Sequence, residues 1–122
     1  MKRVLMKGLV AIAMVAFCAC DPAFRFAGRV TTPNGQPAPG AEVWIQCGDA
    51  EKNFRSTTDQ AGRFERGGVG WRPASCLARA HAAGYADITV PIMSVCRKKP
   101  SHLSDACLEV VIDPWQLNSK AP

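Results

Sequence analysis

The chain has 122 residues, 48% of them apolar, with 15 basic and 10 acidic side chains and a formal charge of +5. That length holds one small domain with modest burial on folding. Lys2, Arg3 and Lys7 sit in a stretch of nineteen residues that has no acid, and without it 103 residues carry only +2. The excess charge is local, so it gives no ground for reading the chain as a nucleic-acid binder.

Those three cations form a positive n-region ahead of Gly8 to Phe17, an uncharged apolar run. Its length of about ten residues is half of the roughly twenty that span a bilayer. It is predicted to be the h-region of a secretory signal helix, which stands outside the fold. Phe17-Cys18-Ala19-Cys20-Asp21 resembles a bacterial lipobox. In proteins with that motif the cysteine is acylated, with palmitate among the acyl groups, and becomes the first mature residue. Ala19 suits the position before the cut and Phe17 does not, so the resemblance implies lipidation at Cys20 rather than Cys18. A mature chain would then be tethered to a membrane of the bacterial cell envelope, facing the periplasm or exterior. Cleavage near Ala19 without acylation would give a secreted protein instead.

After a short linker, residues 20–23, the apolar period is two rather than 3.6, the pattern of half-buried strands. Phe24, Phe26, Gly28 and Val30 alternate with Arg25, Ala27, Arg29 and Thr31. Residues 32–40 (TPNGQPAPG) form a turn region around Asn34-Gly35. Ala41, Val43, Ile45 and Cys47 then alternate with Glu42, Trp44 and Gln46. A polar strand is predicted over Asn53 to Thr58, a turn at 59–62, and a short strand over Arg63 to Arg66. Gly67-Gly68-Val69-Gly70 is expected to break regular structure. Cys76, Ala78 and Ala80 face inward opposite Leu77, Arg79 and His81; Ile88, Val90 and Ile92 make the next inward row, and Leu108, Val110 and Ile112 the last. The sandwich is expected to cover residues 24–113, followed by an irregular tail, 114–122. About seven short strands in one domain imply an all-β sandwich.

Four cysteines remain beyond the signal: Cys47, Cys76, Cys96 and Cys107. An even number in a small exported domain implies two disulfides, and three pairings are open at this point.

Gly28-Arg29-Val30, Asn34-Gly35-Gln36-Pro37 and Gly40-Ala41-Glu42-Val43 together resemble the opening of the carboxypeptidase regulatory-like domain. Thr58 to Phe64 resembles that family's hairpin, and Ala83-Gly84-Tyr85 its turn after the fifth strand. The resemblance implies a seven-stranded, transthyretin-like Greek-key sandwich, with the second and fifth strands adjacent. That adjacency brings Cys47 within reach of Cys76. The favoured pairing is therefore Cys47–Cys76 with Cys96–Cys107, the second closing the short polar stretch RKKPSHLSDA.

Catalytic chemistry has few candidates, and no catalytic residue, metal ligand set or cofactor is assigned. The histidines are His81 and His102, and the one tyrosine is Tyr85. His81 lies on an outward row. Cys96, His102 and Cys107 match no standard zinc spacing. Ser75, Ser94, Ser101 and Ser104 lack a Gly-x-Ser-x-Gly elbow. Two enzyme families share the implied fold. Hydroxyisourate hydrolases end in Tyr-Arg-Gly-Ser, which this chain lacks, and intradiol dioxygenases hold iron with two tyrosines and two histidines. Shared fold does not transfer activity.

The remaining candidates for a binding surface are Trp44 on a polar strand face, Trp71 after the glycine run and Trp115 at the start of the tail; the alternative is that the tail or the 67–73 loop covers Trp44. Exposed aromatics of this kind are enriched at interfaces. The expected role is a non-catalytic structural or binding module, partnered by the membrane through acylated Cys20 and by an envelope protein or glycan. The alternatives are an adaptor lipoprotein of a type VI secretion system, such as small transthyretin-like lipoproteins provide, or a carbohydrate-binding module.

Overall fold

A computed structural model describes residues 23–48 and 51–120, so the signal segment and Cys20 lie outside the described residues. The strands in chain order are β1 (Ala23–Thr31), β2 (Glu42–Gln46), β3 (Lys52–Thr57), β4 (Arg63–Val69), β5 (Arg72–Pro73) and β6 (Leu77–His81). They continue with β7 (Tyr85–Ala86), β8 (Ile88–Pro91), β9 (Cys96–Lys98), β10 (Ala106–Cys107), β11 (Glu109–Gln116) and β12 (Asn118–Ser119). A 3-10 turn, Ile92–Val95, joins β8 to β9. Two four-stranded sheets, β4-β1-β11-β9 and β3-β2-β6-β8, make the sandwich, and β10-β5 and β12-β7 are two-residue ribbons beside it.

The alternating rows meet between the sheets. Phe24, Phe26, Val30, Phe64, Val110 and Ile112 from the first sheet pack on Val43, Ile45, Ala78 and Ala80 from the second. Phe26 and Phe64 lie 4.8 Å apart in an edge-on contact, with Trp115 6.3 and 6.2 Å from them. Small residues on β6 let the large β1 aromatics fill the gap, which keeps interior density high.

Strand β1 pairs antiparallel with β4 and parallel with β11. It approaches β11 so closely that a Cβ on Gly28 would lie 2.0 Å from the Ile112 carbonyl oxygen. Glycine is therefore required at that position for a steric reason, independent of backbone angle.

The two sheets hold eight strands rather than the expected seven. The difference is β9: Cys96 lies opposite Val110 and Lys98 opposite Glu109, so part of the stretch expected to be irregular pairs with the sheet edge. The tail also differs. Strand β11 runs through the cis Asp113–Pro114 bond to Gln116, and Leu117 N–H donates to the Thr31 carbonyl at 2.8 Å. Between Gly28 and Val30 the partner register jumps from Ile112 to Trp115, a bulge with one extra residue on β11. That extra residue turns Trp115 inward, against the simple alternation.

The glycine run does not end β4. Gly67 and Gly68 pair with Arg25 and Phe24, and the ladder closes at Val69 opposite Ala23. Gly68 makes room for a ring, since a Cβ there would meet Phe54 Cε1 at 2.3 Å. Phe54 itself has φ of 53°, an unusual conformation for a bulky residue. It sits where β3 carries an extra residue opposite β2. The twist sends its ring to Phe24, 4.6 Å between centroids.

Both disulfides have the favoured pairing. Cys47–Cys76 extends the β2–β6 ladder one step beyond Gln46–Leu77, with Cα atoms 4.3 Å apart. Cys96–Cys107 links β9 to β10 with Cα atoms 5.9 Å apart.

Two outcomes are expected from this geometry. Gly28→Ala forces β1 and β11 apart and lowers stability by about 1–3 kcal/mol, read as a lower urea midpoint. Replacing both Cys47 and Cys76 by alanine removes a constraint of about 3.5 kcal/mol in the loop-entropy account, read in the same titration.

Candidate functional site

Sheet β3-β2-β6-β8 carries a ladder of polar side chains on its outer face. Glu42, at the start of β2, binds Lys52 and Arg55 of β3, with Arg55 Nη2 2.8 Å from Oε2. The hydrogen bond from Lys52 and, after it, that from Arg55 hold the Glu42 carboxyl below its ordinary pKa, against the opposing effect of burial. One step along β2, Trp44 is only 5% exposed. The Lys52 ammonium lies 4.3 Å from its ring centroid and the Arg79 guanidinium carbon 5.8 Å from it. Arg79 Nη1 donates to Gln46 Oε1 at 3.0 Å, and Trp44 Nε1 reaches the same oxygen at 3.5 Å. Trp44 is thus covered rather than exposed, and the cover comes from these strand side chains. Long basic side chains lie over its ring, because their stems shed water on an apolar face while their charges stay wet.

The other two tryptophans part company. Trp115 is 3% exposed and belongs to the core, so it is not a surface residue. Trp71 is 41% exposed, and Val69 beside it 68%. The three side chains form no common patch. Near Trp71, the Arg72 guanidinium stacks 4.6 Å from the Phe54 ring centroid. No periodicity in the sequence signals that stack, because it depends on the unusual backbone of Phe54.

The outer face of the opposite sheet holds a shallow groove of about 560 Å3 over β1, β4 and β11. Its walls are charged, and several of these charges pair with one another. Arg25 Nε donates to Glu65 at 2.6 Å with Glu109 at 3.6 Å, and Arg29 Nε donates to Asp113 at 3.1 Å. The Glu65 hydrogen bond raises the Arg25 pKa further above its ordinary value. Asp59 accepts the backbone N–H groups of Ala61 and Arg63 at 2.9 Å and so fixes the β3–β4 turn. Ser56 and Thr57 line the groove. Among the described residues no histidine is hydrogen-bonded to a serine or threonine there.

The remaining candidates are dispersed. His81 Nδ1 contacts Asp87 at 2.6 Å on the surface. His102 is exposed in the loop between β9 and β10. Tyr85 packs against the core edge from β7. Cys96 and Cys107 are bonded to each other and offer no thiolate to a metal. Among the described residues, no group of three or more histidine, cysteine, aspartate or glutamate side chains could hold a metal ion. One tyrosine and two histidines in the whole sequence do not fit an iron site of two of each.

The fold and its paired surface charges define a small disulfide-linked β-sandwich module. Residues 25–108 match the carboxypeptidase regulatory-like domain, and the chain belongs to that family. No curated protein matches it in sequence. Among solved structures it is similar to catechol 1,2-dioxygenase from Acinetobacter sp. ADP1 (15% identity, TM-score 0.54) and from Pseudomonas arvilla C-1 (15%, 0.56). In both comparisons 84% of this chain aligns with 54% of the other, so the chain spans about half the length of those enzymes. A 3-chlorocatechol 1,2-dioxygenase from Rhodococcus opacus 1CP aligns with 80% of the chain and 60% of its own length, at 16% identity and TM-score 0.50. At such identities the likeness is one of fold alone.

Glu42 gives a pH signature. Its folded pKa is depressed, so its stabilisation is complete above the ordinary carboxylate range and fades as pH falls through the folded value. Glu42→Gln is expected to lower stability at neutral pH by under about 1 kcal/mol, the scale of exposed ion pairs, read as a lower urea midpoint. The gap between variant and native protein should close in acid.

Proposed function

We propose that the chain is a lipoprotein of the bacterial cell envelope whose sandwich serves as a non-catalytic binding module. What carries the reading is the position of the family domain. Its first strand begins at Ala23, three residues after the lipobox-like Cys20. Acylation at Cys20 would hold the module close to the membrane, and two or three acyl chains give durable anchoring where one is marginal. The two disulfides fit an oxidising compartment beyond the inner membrane. Both sheet faces carry ion pairs within the sheet, and among the described residues the histidines stand apart from the serines. These features support recognition rather than turnover.

An envelope protein is favoured over a glycan as partner on one specific observation. The outer face of β3-β2-β6-β8 offers no open ring for sugar stacking among the described residues, since Trp44 is covered by Lys52 and Arg79, and the exposed Trp71 stands alone away from that face. Docking of a membrane-spanning protein, as in type VI secretion, belongs to the same class of partner.

Intact mass of the protein from a membrane fraction tests the anchor and the oxidised framework together. The expected mass is that of residues 20–122 plus acyl groups, rising by about 4 Da when two disulfides are reduced. In Cys20→Ala the acyl mass should be lost and the chain should leave the membrane fraction. An unacylated native chain in the soluble fraction would overturn the lipoprotein reading.

A further inference from the structure

Among the described residues, Val69 and Trp71 are the large hydrophobic side chains that remain exposed. Both lie where β1 begins, because Ala23 pairs with Val69 at the last step of the β1–β4 ladder. Paired strands are about 5 Å apart. A linker of three residues reaches at most about 11 Å, which bounds how far a tether at Cys20 could stand from this end. An acyl group on Cys20 would therefore enter the bilayer beside this end of the sandwich.

The same end carries basic residues. Gly67, Arg25, Glu109 and Lys98 form one row across the sheet, and Lys99 continues β9 outward from it. Arg97, Lys98 and Lys99 are all exposed. Arg72 adjoins Trp71 and is held by its stack on Phe54. The end also has Asp105, whose backbone carbonyl fixes Ala74. Tryptophan favours the headgroup layer, where its ring is half in hydrocarbon and its N–H is wet. Lysine and arginine beside it gain from anionic headgroups.

We propose that this end, led by Trp71 and Val69 with Arg97, Lys98 and Lys99, rests on the membrane surface and fixes the orientation of the sandwich. The proposal builds on the lipid-anchor reading and adds a second contact to it. The outer face of β3-β2-β6-β8 then stands edge-on to the bilayer, accessible to a protein partner.

Trp71 supplies its own probe, because Trp44 and Trp115 are buried. The full acylated chain, with its acyl groups verified by mass, is placed in phosphatidylethanolamine–phosphatidylglycerol vesicles with or without bromine near the top of the acyl chains. Quenching of tryptophan emission by the brominated lipid is expected, with loss of that quenching in Trp71→Phe. Unquenched emission from acylated chains that float with the vesicles overturns the surface contact and leaves the anchor standing. It would point instead to a protein partner on Trp71. Absence of acyl groups overturns the anchor, and this proposal falls with it. Quenching that persists in Trp71→Phe also overturns the proposal, by showing that a different tryptophan meets the lipid.

Discussion

The sandwich depends on β1 being held along both edges, antiparallel by β4 and parallel by β11. Parallel neighbours cannot be joined by a tight turn. The chain must pass through the whole second sheet and the β10-β5 ribbon before it reaches β11. Contacts of that sequence separation are slow to form and make topology, rather than local propensity, the main determinant of folding speed. The close approach at Gly28 and Ile112 is what the arrangement demands sterically. The Phe26, Phe64 and Trp115 cluster is what it yields, one ring each from β1, β4 and β11.

How legible each part was depends on whether a period of two survives. It survives in β1, β2 and β6, where Phe24, Phe26 and Val30, then Val43 and Ile45, then Ala78 and Ala80 point inward as the alternation predicts. It fails at bulges. Trp115 is turned inward by one extra residue around Asp113–Pro114, and Phe54 by one extra residue opposite β2. Gly68 looked like a breaker because composition cannot show that a ring from another strand occupies its empty side. Trp44 was legible as an outward residue but not as a covered one. Its cover comes from Lys52 on β3 and Arg79 on β6, two strands that only the fold brings together. The family motif supplied the adjacency of β2 and β6, and with it the Cys47–Cys76 pairing.

The likeness to catechol 1,2-dioxygenases is one of fold and carries no chemistry across. The same layered framework here carries ion pairs across its faces, with Arg25 between Glu65 and Glu109 and Glu42 between Lys52 and Arg55. Among the described residues, the serine and threonines lining the groove are not hydrogen-bonded to a histidine. The surfaces that differ from this self-satisfied character are the ends of the sandwich.

Strand β1 also has a mechanical meaning. If the chain is tethered just before Ala23, any load on the domain enters along β1. The hydrogen bonds to β4 lie across that direction and those to β11 slant across it, so a pull loads them together in shear. Peeling, in which bonds fail one at a time, would require the force to act on an edge strand. The first strand therefore sits where a tethered module best resists being drawn off its own leash.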